Sequence, residues 1–234
     1  VSGTDLERLG PYLPAFAEGA LLFAGAHWTP PEDVALLAAI CLRETEAGWA
    51  PGYRPQRSPD GTGDWCARVG HWTRKGGVLV LEDADKVRAA GFALPKKKGQ
   101  ILPGPYAIPA DREGWGRALF QIDALGDFAD LVMPAPWPVE RQAAAACAQL
   151  HLARQQLMEA GIATTHPLFL RCVVARYNTS LERVLAGLAA GDPDISTTIG
   201  PSGKPDYSRD VLGRRDALRA RYPTVFPVVT GVVI

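Results

Sequence analysis

Glu44 is a carboxylate on a helical stripe whose other members are apolar. The segment 31–47 reads as a helix, with Pro30, Pro31 and Asp33 around its start and Gly48 just past its end. At about 100° per residue, Val34, Leu37, Ile40 and Cys41 fall on one side of it, and Glu44 lies in the middle of that stripe. Glu46 projects to the opposite side, with Arg43 nearer to it. Burying an ionised carboxylate is expensive unless partners compensate it. Desolvation also raises a carboxyl pKa, which keeps a proton available for general acid catalysis near neutral pH. The other reading of Glu44 is a core-edge glutamate paired with an arginine.

Further stretches put polar residues where apolar ones would be cheaper. They are R-E-T-E-A-G-W from Arg43, D-R-E-G-W-G-R-A-L-F-Q-I-D from Asp111 to Asp123, A-R-Y-N-T-S from Ala175, and D-Y-S-R-D-V from Asp206. Each has a local explanation as well. Asp123 suits the N-cap of a helix beginning near Ala124, and Asp111 suits a loop ion pair with Arg112. Gln121 alternates with Phe120 and Ile122 as an exposed position of a short strand would. Tyr177 and Asn178 read as a helix C-terminus.

Taken in order, the four stretches resemble the goose-type lysozymes (glycoside hydrolase family 23) and, more distantly, the soluble lytic transglycosylases. The resemblance covers 32–49, 111–124 and, more loosely, 139–222. It implies that Glu44 protonates the glycosidic oxygen and that Asp123 and Asp111 are its paired aspartates, one of them activating water. In an inverting glycosidase that second carboxylate stands roughly 6.5–9.5 Å from the acid, across the sugar. The resemblance also implies that Gln121, whose amide both donates and accepts, meets N-acetyl groups or sugar hydroxyls. Tyr177 would lie beside the glutamate and orient it, Asn178 would contact the sugar, and Tyr207 is a further candidate for holding the glutamate. The chain departs from the family at Leu119-Phe120, where the family has leucine-methionine, at one extra residue between Asp111 and the glutamine motif, and in two larger ways. A long insertion separates Glu44 from Asp111, and Thr179-Ser180 stands where the family has alanine-glycine.

Positioning these groups calls for a mostly α frame. Helical patterns cover 4–25, interrupted by Pro11 and Pro14, then the Glu44 helix, 139–160 ended by Gly161, 166–177, 181–190 and 207–222. The region 49–113 is rich in Gly, Pro, Trp and charge. It predicts a partly structured α/β insertion, with a strand at 77–81 and a brief helix near 83–90. The apolar tail 224–234 predicts a docked extended strand. The expected fold is mainly α and lysozyme-like, one catalytic domain over 1–234 with the insertion at about 50–110.

Composition narrows the function. Hydrophobic residues make up 47% and charged residues 21% of the 234, enough for a substantial single core. A formal net charge of zero argues against an electrostatic nucleic-acid binder, and the runs Arg74-Lys75 and Lys96–Lys98 read as solvated loop surface. No apolar run is long enough to span a membrane, and the first residues lack the basic start and apolar run of a signal peptide. The four cysteines form no CxxC pair and the four histidines no ligand spacing, so no metal or organic cofactor is expected; Cys41, Cys147 and Cys172 read as buried thiols. There is no G-x-S-x-G and no phosphate loop.

The expectation is a monomeric muramidase acting on the bacterial cell wall. It would cleave the β-1,4 bond between N-acetylmuramic acid and N-acetylglucosamine in peptidoglycan strands. The closest alternative is a lytic transglycosylase that leaves 1,6-anhydromuramic ends. Another is a non-catalytic peptidoglycan-binding or phage-tail structural protein.

Overall fold

A computed structural model describes residues 2–47, 72–75, 78–81, 116–123, 138–191 and 207–227, and these are mainly helical. The chain opens with α1 (Gly3–Leu9), capped reciprocally. The Ser2 hydroxyl accepts from the Asp5 N–H at 3.2 Å, and the Asp5 carboxylate accepts from the Ser2 N–H at 2.6 Å. Pro11 sits in a 3₁₀ turn over Gly10–Tyr12, and Pro14 lies in the first turn of α2 (Leu13–His27), where a missing N–H costs nothing.

α3 (Val34–Thr45) carries Glu44 and is shorter than the sequence pattern suggests. Its N-cap is Asp33, whose Oδ1 accepts from the Ala35 N–H at 2.9 Å, so the prolines and Glu32 lie outside the helix. Nor is α3 amphipathic. Every residue from Ala35 to Leu42 is buried, which makes it the central helix of the core. A stripe drawn from four apolar positions identifies one buried side and misses that the other is buried too. Each fully buried leucine here contributes roughly 1.5–3 kcal/mol.

Around α3 stand α2, α4 (Val139–Glu159) and α7 (Tyr207–Arg221), with α5 (Phe169–Asn178) and α6 (Leu181–Ala189) packed beyond. α4 ends as its pattern predicts, with Gly161 at φ +84°, a left-handed conformation that glycine adopts freely. α5 begins at Phe169 rather than His166. His166 instead turns the chain, its Nδ1 accepting from the Leu168 N–H at 3.1 Å. α7 runs antiparallel to α3, because Tyr207 at its start meets Glu44 while Arg219 near its end meets Asp33 at 2.8 Å.

Two hairpins complete the described residues. β1 (Trp72–Lys75) pairs with β2 (Val78–Leu81), within the predicted insertion, and β3 (Gly116–Arg117) pairs with β4 (Ile122–Asp123). β2 matches the strand expected at 77–81; its partner β1 escaped the pattern. The start of the predicted C-terminal strand is instead a turn, in which the Val225 and Phe226 N–H groups both donate to the Tyr222 carbonyl and Phe226 is buried. The expected helix near 83–90, Asp111, Cys66 and residues 228–234 lie outside the described residues. Cys41, Cys147 and Cys172 are buried cysteines, and burial pushes the Cys41 thiol up to about 12. Among the described residues, no helix is long and apolar enough to cross a membrane.

α2 and α4 cross so closely that one glycine is required. A Cβ at Gly19 would stand 2.2 Å from the Glu140 carbonyl oxygen and 2.6 Å from the Ala143 Cβ. Both obstacles belong to α4 and neither is a flexible side-chain end. Gly19→Ala should therefore destabilise the protein by ~1–3 kcal/mol through overpacking, read from its urea unfolding midpoint. An unchanged midpoint would show that the helices do not approach this closely.

Candidate active site

The last turn of α3 brings a carboxyl group to the end of a buried helix. Glu44 is half-buried, and its Oε1 accepts from the Tyr207 hydroxyl at 2.5 Å, a short O–H···O bond. Tyr207 is 4% exposed and sits at the first position of α7. Its hydroxyl is held far above the ordinary tyrosine value, first by burial and then by the negative charge of Glu44. It therefore remains a donor and fixes the rotation of the carboxyl plane.

α3 does not continue past Thr45. Glu46 caps it in the left-handed conformation at φ 52°, its N–H donating to the Leu42 carbonyl at 3.1 Å, and Ala47 follows at φ 55°. Glu46 thus leaves the helix altogether instead of occupying its opposite face. It is exposed, with Arg8 3.6 Å away. Two left-handed non-glycine residues in succession turn the chain sharply away from Glu44, at roughly 1–2 kcal/mol each.

The turn 118–121 of the β3–β4 hairpin is clamped against this helix end from several sides. The Thr45 hydroxyl lies 3.0 Å from the Leu119 carbonyl and 3.1 Å from that of Cys41, within donating reach of both. Gln142 of α4 is fully buried and accepts from the Leu119 N–H at 3.1 Å. The Tyr177 hydroxyl of α5 donates to the Phe120 carbonyl at 3.0 Å, and the Phe120 ring packs on Phe16 of α2 with centroids 5.0 Å apart. Backbone groups that would be orphaned inside the protein are thereby paired. The clamp holds Ala118 and Gln121 at φ 56° and 51°, both left-handed.

The sequence-predicted residues are distributed as follows. Glu44 and Tyr207 are directly bonded. Tyr177 lies close enough for the Glu44 charge to help raise its hydroxyl, after burial, well above the usual tyrosine range; its bond, however, goes to Phe120 and not to the glutamate. Among the described residues, the hydroxyl that hydrogen-bonds Glu44 is that of Tyr207. Gln121 is not a strand residue but a turn residue, partly buried, with its Nε2 donating to the Ala118 carbonyl at 2.9 Å. Asp123 lies two residues on, in β4 rather than at a helix N-cap, and Asn178 ends α5 on the surface. Asp111 is outside the described residues.

Thr45 and Gln142 are the site residues that the sequence pattern passed over. One signal for Gln142 is its place directly before the run Ala143–Ala146, whose burial draws a polar neighbour inward to a buried partner. Among the described residues, no group of three His, Cys, Asp or Glu side chains is placed to hold a metal ion. No protein-family model and no curated protein sequence matches the chain.

Two consequences are measurable. Thr45→Val keeps the shape of the side chain but leaves the buried Leu119 carbonyl without that hydroxyl, and should lower stability by ~1–3 kcal/mol in urea unfolding; a loss near zero would mean the clamp does not form. The raised hydroxyls of Tyr177 and Tyr207 set an alkaline limit. Above the ordinary value of 10.0 the unfolded chain sheds these protons while the folded chain keeps them. Their contribution is therefore whole below that pH and lost as pH climbs toward their folded values. The urea midpoint should fall above about pH 10, and less steeply in Tyr207→Phe than in the wild type.

Proposed function

We propose that this protein is a muramidase of lysozyme-like fold, cleaving the β-1,4 bond between N-acetylmuramic acid and N-acetylglucosamine in peptidoglycan. The observation that carries the reading is the meeting of four separate sequence stretches at one helix end. Tyr207 of D-Y-S-R-D-V bonds Glu44 of R-E-T-E-A-G-W. Thr45 of that stretch bonds Leu119 of A-L-F-Q-I-D. Tyr177 of A-R-Y-N-T-S bonds Phe120 of the same hairpin. Chance matches of short motifs give no reason for such convergence.

In this reading Glu44 gives its proton to the glycosidic oxygen as the C1–O bond breaks. Water adds to C1 from the opposite face, and its proton passes to a carboxylate, Asp123 or Asp111. Tyr207 fixes the aim of the acid through Oε1, so that proton transfer follows one direction and little reorganisation is needed. Gln121, set by the clamped turn, and Asn178, at the end of α5, contact the sugar.

Glu44→Gln should retain the thermal unfolding midpoint within a few degrees and reduce lysis of purified cell walls by at least about 10²-fold, the scale of a lost general acid. Mass spectrometry of the wild-type digest should show reducing N-acetylmuramic ends. Undiminished lysis by the glutamine variant would remove Glu44 from the mechanism, and 1,6-anhydromuramic ends would replace water with the sugar's own 6-hydroxyl as nucleophile.

A further inference from the structure

The stretch D-Y-S-R-D-V contributes more than its tyrosine. Asp210, one turn after Tyr207 on α7, is 14% exposed, and its Oδ2 accepts from Arg43 Nη1 at 3.1 Å and from Arg214 Nε at 3.0 Å. Arg43 immediately precedes Glu44 on α3, and its guanidinium carbon lies 5.6 Å from the centroid of the Tyr207 ring. One guanidinium therefore touches both the carboxylate of Asp210 and the ring whose hydroxyl holds Glu44. The same turn of α7 is fastened on its other side, where Arg171 of α5 donates from Nε to the buried Ser208 hydroxyl at 3.4 Å.

From this arrangement we infer that Arg43 and Asp210 are positioning residues for Glu44, an inference that rests on the reading of Glu44 as the acid. Arg43 spans Asp210 and Tyr207, keeping the phenol on Oε1 of the glutamate. Asp210 offsets the Arg43 charge, which uncompensated would favour the ionised form of a neighbouring carboxyl. The ion pair thus fixes geometry and protonation together. A planar guanidinium suits both contacts, since it stacks on a ring and forks onto a carboxylate, and an ammonium does neither as well.

Charged and titratable groups stand around Glu44 on several of the described elements. α3 itself offers Arg43 and the protonated thiol of Cys41. α7 offers Tyr207, Asp210 and Arg214; α5 offers Tyr177 and Arg171; α4 offers the thiol of Cys147; and the 3₁₀ turn offers Tyr12. The tyrosines and thiols are neutral at neutral pH, so among the described residues the local charge comes from the arginines, Asp210 and, at the helix C-cap, Glu46 with Arg8.

The test is a ¹³C NMR titration of the Glu44 side-chain carboxyl in the full chain, which needs no activity. Asp210→Asn removes a negative charge and should lower the Glu44 midpoint by about 0.5–1 pH unit, the scale of a charge interaction across several ångströms of protein. Arg43→Met removes a positive charge and should raise it by a similar amount. The double variant should return close to the wild-type midpoint. Arg43→Lys, which keeps the charge, is the control for folding and should leave the midpoint in place while weakening the hold on the Tyr207 ring, seen as altered ring chemical shifts.

Opposite displacements in the two single variants show that both charges reach Glu44, and altered Tyr207 ring shifts in Arg43→Lys at an unchanged midpoint show that the guanidinium holds the ring, which a purely structural ion pair would not give. Displacements of the same sign, or none, overturn the inference. The lytic assay separates the two readings. If Glu44→Gln abolishes lysis and the midpoints do not move, the acid stands and the positioning pair falls. If the midpoints move and no lysis occurs in the wild type, the electrostatic pairing stands without the muramidase.

Discussion

α3 is buried along nearly its whole length and ends inside the protein, and the arrangement of the site follows from that constraint. A helix leaves its last carbonyls without intrahelical partners, and water normally satisfies them. Here the Cys41 carbonyl lies within reach of the Thr45 hydroxyl and the Leu42 carbonyl accepts from the Glu46 N–H, while the Glu44 carboxyl accepts from a phenol of α7, 163 residues away in sequence. A buried polar end must collect donors, and the surrounding elements are placed where they can supply them. α7 brings Tyr207 and takes Arg43 on Asp210, and the β3–β4 hairpin brings the Leu119 carbonyl to Thr45.

Strain is concentrated at the same place. Of the five non-glycine residues with left-handed backbone among those described, Glu46, Ala47, Ala118 and Gln121 flank the contact between the α3 end and the hairpin. Each is disfavoured by roughly 1–2 kcal/mol, and each persists because tertiary contacts over-determine it. Ala47 and Ala118 are fully buried, and the hairpin turn is tied by hydrogen bonds from α3, α4 and α5. That pattern suits a site whose geometry matters more than its local backbone preference.

The legibility of these features in the sequence follows the range of the interactions behind them. Helix ends are readable where a local residue fixes them: the break that Pro11 and Pro14 make between α1 and α2, and Gly161 after α4. Glu44 was readable because a carboxylate among apolar neighbours on a helix is a local anomaly. The start of α3 was misplaced by three residues because prolines permit a helix start, whereas an Asp33 side chain bonded to the Ala35 N–H makes one. F-Q-I alternates as a strand does, and the turn at Gln121 is imposed by Thr45, Gln142 and Tyr177, each distant in sequence. The buried surroundings of α3 on all sides were equally invisible, since no single segment encodes what its neighbours cover.

The adjacency of Glu44 and Thr45 ties the two halves of the site together. One residue carries the carboxyl and the next carries the hydroxyl that anchors the hairpin, so the distance between acid and Gln121 turn is set by a single peptide unit plus one hydrogen bond. A displacement of the hairpin would have to break the Thr45 bond, release the Leu119 N–H from Gln142 and uncover the Phe120 carbonyl at Tyr177, exposing several buried polar groups together. Losing one such bond costs about 1–3 kcal/mol, so losing them jointly makes the shifted state rare. Glu44 and the turn that bears Gln121 therefore move as one body, and pre-organisation at this site resides in the buried hydrogen bonds behind it.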